Sequence, residues 1–371
     1  MKPATLFSSI FEWLSPRFEL SRKGTQTNVG AMEGMRGFAV FLVFLVHFVT
    51  LVEPWIQGTQ LLAFAQALHA IGNTGVDLFF VLSGYLIYGS LISREQQFLS
   101  FMGRRIVRIY PTFLAVLLLY LFLSVFFQSE SKLPPEPLRA VLYIVQNILL
   151  LPGLFPIQPI ITVAWSLSYE MFFYLLIPLV ISIFSMRNRS PGTRTNSVLA
   201  VAITLALVCG IFGGPIRFIM FLAGMLLYET SVKPWRRPPT SVTGAFAMVA
   251  GLVSTLLPLP GVEGYVCRIA ILSVAFFLFC YSCFAFPNDW LAKIFRWWPA
   301  RWLGNMSYSY YLIHGLALKA MFLVLPFFVS YSKGGDMFFW SLLPLAFIGT
   351  LLPSALLFLW IERPMSLDRH K

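Results

Sequence analysis

The stretch Glu33-Gly-Met-Arg36-Gly-Phe-Ala-Val-Phe-Leu-Val-Phe-Leu-Val-His47-Phe48 carries an arginine and a histidine on either side of ten apolar residues. An α-helix turns about 100° per residue, so eleven residues complete about three turns and leave both side chains on one face. The rise of ~1.5 Å per residue separates them by roughly 16 Å along the axis. Polar side chains inside a membrane span are energetically costly, which makes Arg36 and His47 candidates for a functional site.

The rest of the chain is also apolar. Hydrophobic residues make up 58% of the 371 residues and charged residues 11%, a composition that excludes a soluble globular protein. We predict an all-α polytopic membrane protein with ten spans, at 33–53, 76–93, 109–128, 162–185, 197–212, 215–230, 242–258, 265–286, 305–329 and 337–361. A further apolar stretch, 138–155, is interrupted by Pro152 and is predicted to be a re-entrant or interfacial segment.

The distribution of Lys and Arg predicts the orientation of these spans. With a cytoplasmic N-terminus, 21 of the 27 Lys and Arg residues fall in cytoplasmic segments, and the other six are Lys132, Arg139, Arg217, Arg268, Lys319 and Lys333. The positive-inside rule therefore predicts that both termini are cytoplasmic. The predicted organisation is a cytoplasmic segment 1–30, a transmembrane domain 31–364 and a cytoplasmic tail 365–371.

The charge and cysteine content exclude two classes of partner. The net charge of +12 is explained by cytoplasmic loops that face anionic lipid headgroups, so we predict no nucleic-acid binding. The four cysteines show no metal-ligand spacing with histidine, so we predict no metal site.

His47 and Arg36 suggest different chemical roles. A neutral imidazole near its usual pKa of about 6.5 can accept a hydroxyl proton, so His47 is a candidate general base. A guanidinium stays protonated and suits a phosphate or carboxylate, so Arg36 is a candidate anion-binding residue. The alternatives are that His47 hydrogen-bonds a neighbouring helix and that Arg36 extends toward the headgroups.

Three further polar side chains are predicted to lie within or beside the second and fourth spans. Asp77 is expected at the outer mouth of the second span, where it could orient His47 or pair with a basic residue. Ser83 lies deeper in that span, beside Gly84, where small residues permit close helix packing. Glu170, in the run that starts at Trp165, is expected to pair with a basic residue or to touch substrate.

Arginines gather where the third span begins, in the run Arg104-Arg-Ile-Val-Arg108. Arg105 and Arg108 are three residues apart and share one helical face, which suits either a positive-inside anchor or a phosphate-binding site. Toward the C-terminus, His314 is a candidate cavity residue or interhelical tie, and Glu362 is expected to pair with its neighbour Arg363.

These stretches together resemble the membrane acyltransferase-3 family. The matching pieces are Arg36-x10-His47, Phe79-Phe-Val-Leu-Ser-Gly84, Arg104-Arg-Ile-Val-Arg-Ile-Tyr-Pro111, Trp165-Ser-Leu-Ser-Tyr-Glu170, Phe221-Leu-Ala-Gly-Met225, Ser307-Tyr-Ser-Tyr-Tyr-Leu-Ile-His314 and Glu362-Arg-Pro364. Each piece by itself is weak evidence for the family, but all of them together, in this order over most of the chain, are specific. The resemblance implies a ten-span O-acyltransferase, here expected to be the stand-alone type without a fused esterase-like domain.

By that resemblance, His47 would be catalytic, Arg36 and Glu170 would belong to the catalytic site, and Arg104, Arg105 and Arg108 would help Arg36 to bind cytoplasmic acyl-CoA. Support would come from Asp77, Ser83, Trp165 and His314. The expected reaction transfers an acyl group, acetyl above all, from acyl-CoA to a hydroxyl of a surface glycan or lipid-linked glycan at the bacterial inner membrane. The rival hypothesis is a polytopic transporter that uses buried His, Glu and Arg to move protons or substrate.

Overall fold

The computed structural model describes residues 3–20, 29–331 and 334–368, and within these ranges the chain is helical with no β-strand. The α-helices of this part of the chain are α1 (Pro3–Phe18), α2 (Val29–Val52), α3 (Thr59–Gly72), α4 (Thr74–Ser93), α5 (Phe98–Phe126), α6 (Pro137–Ile148), α7 (Trp165–Ile183), α8 (Pro191–Phe212), α9 (Phe218–Val232), α10 (Ser241–Ser254), α11 (Gly261–Ala285), α12 (Trp290–Phe295), α13 (Trp298–Asn305), α14 (Ser307–Val324) and α15 (Asp336–Leu357). A π-helical stretch, Phe358–Leu367, continues α15.

The helices have the lengths of an all-α polytopic membrane protein, as predicted. Eight helical segments of the described chain are long and apolar enough to cross a bilayer, and α9 and α10 are shorter apolar helices. The count of ten spans and the cytoplasmic position of the termini remain predictions. The stretch 138–155 contains only the 12-residue helix α6, and a membrane-spanning helix needs about 20 residues.

The second span is longer than predicted. Helices α3 and α4 are separated only by Asn73, which itself has right-handed helical angles, and together they form one apolar segment, Thr59–Ser93. At Gly75 the backbone of α4 lies so close to α2 that a Cβ would be 2.3 Å from the carbonyl oxygen of Ala39. Asp77 follows α3 within this segment, and its place at the outer mouth of the span stays a prediction.

The core of the bundle depends on a second close approach, between α4 and α9. A Cβ on Gly84 would lie 2.3 Å from the carbonyl oxygen of Phe221, and one on Gly224 would lie 2.1 Å from that of Val81. Small residues that allow backbones to meet are a common basis of helix packing in membranes. This crossing confirms the structural interpretation of Gly84.

We expect Gly84→Ala to destabilise the protein, because the added methyl group overlaps the backbone of α9 and forces the helices apart. Overpacking of this kind costs roughly 1–3 kcal/mol. The measurement is the apparent melting temperature in detergent, with Gly210→Ala as the matched control, because a Cβ at Gly210 meets no atom within 4 Å. Equal melting temperatures for the two variants would contradict this packing.

Candidate active site

Arg36 faces a cavity of about 140 Å³ inside the bundle, which we call the arginine cavity. Its guanidinium lies beside α14, with Nε and Nη2 donating to the Ser307 hydroxyl at 3.2 and 3.0 Å. Helices α2, α4, α5, α7 and α14 contribute its polar lining, which includes Arg36, Ser83, Arg105, Arg108, Glu170 and Ser307. The structure thus brings together five of the predicted site residues around one space.

Glu170 is held in the arginine cavity by hydroxyl groups. The Ser83 hydroxyl donates to Glu170 Oε1 at 2.8 Å, and the Tyr174 hydroxyl donates to the same oxygen. No ion pair of Glu170 occurs among residues 3–20, 29–331 and 334–368, so of its two expected roles contact with substrate stays a prediction. Because both hydroxyls donate to the same oxygen, they fix the orientation of the carboxylate. The carboxylate faces the arginine cavity, which Arg36 and Arg105 also line.

The three arginines of α5 have different surroundings. Arg104 donates to the Gln96 side chain. The Arg105 guanidinium lies over the rings of Phe101 and Tyr174, with Cζ 5.4 and 5.8 Å from their centres, and its Nε is buried without a hydrogen-bond partner in the described structure. Arg105 is therefore an available cation at the wall of the arginine cavity.

Arg108 is engaged in an ion pair. Its Nη1 lies 2.7 Å from Glu362 Oε1, and Glu362 Oε2 accepts from the Ser309 backbone N–H and hydroxyl at 2.9 and 2.6 Å. The prediction that Glu362 pairs with Arg363 is wrong, because Arg363 lies 3.2 Å from Asp368 instead. The Arg108–Glu362 pair joins α5 to the π-helical stretch Phe358–Leu367, and the Arg108 guanidinium also lies over the Tyr308 ring of the cavity wall, with Cζ 5.6 Å from its centre.

Asp77 forms an ion pair with Arg217. Its Oδ1 lies 3.6 Å from Arg217 Nη1, and both side chains are largely buried. The Trp165 ring packs against that guanidinium, 5.3 Å from Cζ. Of the two roles predicted for Asp77, pairing with a basic residue is confirmed, and Trp165 supports the pair.

His47 lies at a second cavity, of about 240 Å³, which we call the histidine cavity. The His47 ring packs against His314 of α14 with centroids 5.0 Å apart. His314 is fully buried, and its Nδ1 lies 2.9 Å from the carbonyl oxygens of Tyr310 and Tyr311. Carbonyls only accept, so Nδ1 carries the proton and Nε2 is a lone-pair acceptor, for which the described residues provide no donor.

Two hydroxyl groups separate the arginine cavity from the histidine cavity. Tyr311 and Ser166 line the arginine cavity, and their oxygens lie 2.7 Å apart. Both hydroxyls contact the carbonyl oxygen of Val163, at 3.0 Å from Tyr311 and 3.1 Å from Ser166. Val163 lines the histidine cavity. The two cavities have no lining residue in common. We call the three residues that lie between them, Tyr311, Ser166 and Val163, the septum.

The arginine cavity continues in the other direction into a larger polar cleft of about 810 Å³. Leu86 and Arg105 line both spaces. The cleft is lined by the ends of α4 and α5 and includes Arg94, Glu95, Gln96 and Arg104. A long molecule with an anionic end could therefore extend from the cleft past Arg105 toward the septum.

Several of these residues were not predicted from the sequence. Tyr311 and Ser166 lie inside the matching runs at 307–314 and 165–170, but no local pattern shows that their hydroxyls meet. Lys132 and Lys319 line the histidine cavity. The sequence offers a sign of both residues, since they are among the six Lys and Arg residues that lie outside the predicted cytoplasmic segments.

Comparison with known proteins agrees with this architecture. Residues 29–359 match the family described as "Acyltransferase domain". The peptidoglycan O-acetyltransferase OatA of Listeria monocytogenes is 27% identical over 321 residues, which cover 77% of this chain and 49% of that protein. The O-acetyltransferase OatA of Staphylococcus aureus is 27% identical over 328 residues, covering 76% and 49%.

A putative peptidoglycan O-acetyltransferase of Bacillus subtilis, YrhL, is 26% identical over 390 residues, covering 91% of this chain and 55% of that protein. The chain thus spans about half the length of these curated relatives. No solved structure is significantly similar to it. Because the family match extends from α2 through α15, the chain belongs to the acyltransferase-3 family.

Proposed function

We propose that the protein transfers an acyl group, acetyl above all, from cytoplasmic acyl-CoA to a hydroxyl of a surface glycan or lipid-linked glycan in the bacterial cytoplasmic membrane. The observation that carries the proposal is the arrangement of the spaces along α2. The polar cleft joins the arginine cavity toward one end of the helix, and His47 faces the separate histidine cavity toward the other end. This arrangement suits a donor and an acceptor that approach from opposite sides.

In this proposal the phosphates of acyl-CoA lie in the polar cleft. Arg104 and Arg105 supply positive charge there, and guanidiniums bind phosphate oxygens through two parallel hydrogen bonds. Arg108 is neutralised by Glu362, so we assign it to shaping the cavity rather than to phosphate binding. The pantetheine arm then passes Arg105 into the arginine cavity, where Arg36 and Glu170 position the thioester.

The chemistry takes place at the septum. In direct transfer, an imidazole nitrogen of His47 takes the proton of the acceptor hydroxyl while that oxygen forms the ester bond to the acyl carbon. The carbon–sulfur bond breaks, and the proton that His47 removed passes to the CoA thiolate. Alternatively, an imidazole nitrogen bonds the acyl carbon first, the carbon–sulfur bond breaks and CoA leaves as the thiolate. The acceptor oxygen then displaces the imidazole from the acyl carbon, and the hydroxyl proton of the acceptor passes to the thiolate. Both routes require the Tyr311 side chain to move, because the septum separates the thioester from His47.

The names of the relatives support acyl transfer over transport. Two are O-acetyltransferases called OatA and one is a putative peptidoglycan O-acetyltransferase. The transporter hypothesis has no such support.

We expect His47→Ala to reduce transfer of labelled acetyl from acetyl-CoA by about 10²–10⁴-fold, the range in which general acid–base groups contribute. The measurement uses protein in nanodiscs with a glycan acceptor, and follows thioester loss and label on both glycan and protein. Arg139→Gln is the control, because Arg139 is exposed, pairs with Glu136 and lines neither the arginine cavity nor the histidine cavity. Activity of His47→Ala within tenfold of the unsubstituted protein would overturn the proposed role.

His314 is assigned a positioning role, because its ring packs on His47 and its own Nδ1 is fixed by two carbonyls. In the same assay, His314→Ala should lower kcat while the KM for acetyl-CoA stays unchanged, and His314→Gln should recover part of the loss by donating to those carbonyls. A fall in melting temperature without a change in kcat would show that His314 is only structural.

We expect Arg105→Gln to raise the KM for acetyl-CoA by about 10–100-fold, because a hydrogen bond to a charged group contributes roughly 1.5–3 kcal/mol. The matched control is Arg139→Gln, an exposed arginine paired with Glu136 and outside the proposed donor route. Titration of the initial rate against acetyl-CoA gives both values. An unchanged KM in Arg105→Gln would exclude donor binding in the polar cleft.

A further inference from the structure

The histidine cavity opens sideways into a groove between α5 and α14. The groove has a volume of about 510 Å³, and it shares Tyr120, Ser124, Glu130 and Lys319 with the histidine cavity. Apart from these shared residues its lining is apolar, and includes Leu119, Leu123, Phe127, Leu316, Ala320 and Leu323. We call it the lateral groove.

The lateral groove faces the bilayer. Phe127 and Leu323 are 53% and 46% exposed, and both flanking helices belong to apolar segments long enough to span a membrane. From Ile313 to Val324 the groove follows α14 for roughly 16 Å, at ~1.5 Å per residue. An exposed apolar groove in a membrane protein is normally filled by hydrocarbon, and here one end of it reaches the cavity of His47.

Cationic side chains mark the junction of the groove and the cavity. Lys319 pairs with Glu130, while Lys132 donates to the carbonyl oxygens of Pro159 and Ile160 at 2.8 and 3.2 Å and to the Thr162 hydroxyl at 3.1 Å. Both lysines line the histidine cavity, and burial, with a smaller effect of the Lys319 charge, lowers the pKa of Lys132. Two lysines and one carboxylate give this junction an excess positive charge, which suits an anionic group of the ligand.

We propose, on the basis of the proposed function, that the acceptor is a glycan attached to a membrane lipid through phosphate, and that it enters from the bilayer along the lateral groove. The hydrocarbon chain occupies the groove, the phosphate lies between Lys319 and Lys132, and the first sugar extends into the histidine cavity. This order follows the order of apolar, cationic and polar linings from the bilayer to His47. Lys319 exchanges Glu130 for the phosphate when the acceptor binds.

The test compares three acceptors with the 371-residue chain in nanodiscs and labelled acetyl-CoA. They are a disaccharide on polyprenyl diphosphate, the same disaccharide on an uncharged alkyl chain, and the free disaccharide in solution. Ala320→Trp fills the groove, and Ala202→Trp is the matched control, because Ala202 lines a separate apolar groove. Lys319→Gln removes the charge at the junction.

We expect the diphosphate-linked acceptor to have a kcat/KM at least tenfold above that of the free disaccharide. Ala320→Trp should raise its KM at least tenfold, while Ala202→Trp should not. Lys319→Gln should raise the KM for the diphosphate-linked acceptor and leave that for the alkyl glycoside unchanged. Acetyl-CoA binding and melting temperature should be the same in all three variants, which shows that they are folded.

Equal kcat/KM for the free and diphosphate-linked disaccharides, with no effect of Ala320→Trp, would overturn entry through the groove. Equal KM changes for both lipid-attached acceptors in Lys319→Gln would overturn phosphate recognition. If the proposed function is wrong, none of the three acceptors will receive acetyl in a His47-dependent reaction. That result differs from both outcomes that would overturn the lateral groove or phosphate recognition.

Discussion

Arg36 and His47 lie on one unbroken helix, and this fixes the distance between them. Helix α2 runs without interruption from Val29 to Val52, so its rise keeps the two side chains about 16 Å apart. They cannot act on the same atom at the same moment. The structure accordingly has two cavities along α2, one at each residue, with Tyr311, Ser166 and Val163 between them. In the proposed reaction, the donor and the acceptor meet across that septum.

The remaining buried charges stabilise the bundle around this path. Arg194 forms a two-bond ion pair with Glu229, at 2.6 and 2.9 Å, and Tyr88 donates to the same carboxylate at 2.6 Å. Removing one partner of such a pair leaves an uncompensated buried charge, which typically costs about 3–5 kcal/mol. Arg108–Glu362 is a second ion pair, at 2.7 Å, and Asp77–Arg217 is a longer one, at 3.6 Å. Arg105 and Glu170, in contrast, line the arginine cavity without an ion-pair partner among the described residues.

The sequence predicts features that follow from local rules. Membrane spans are evident because each needs about twenty apolar residues, and the eleven-residue spacing of Arg36 and His47 is a property of a single helix. The sequence does not predict α3, whose continuation into α4 depends on packing against α2 as well as on composition. For that reason the sequence does not show that Asp77 follows α3 in a longer helical segment, although pairing with a basic residue is one of the two roles that it predicts for Asp77.

Contacts between distant segments are the part of the site that no local pattern encodes. Glu362 could be expected to pair with its neighbour Arg363, yet the fold brings it to Arg108 of α5. Likewise, the sequence predicts that Glu170 pairs with a basic residue or touches substrate, and it does not show that the hydroxyls of Ser83 and Tyr174 hold the carboxylate. Tyr311 and Ser166 each lie in a recognisable motif, but only the packing of α14 against the start of α7 makes them a septum.

The central claim is that acyl-CoA binds on the arginine side of the septum and delivers its acyl group toward His47. The most direct measurement is a cryo-EM structure of the protein in nanodiscs with a non-hydrolysable thioether analogue of acetyl-CoA. We expect phosphate density beside Arg104 and Arg105 in the polar cleft, and the acyl end in the arginine cavity directed at Tyr311. Nucleotide density at the histidine cavity, or at a site away from both cavities, would contradict it.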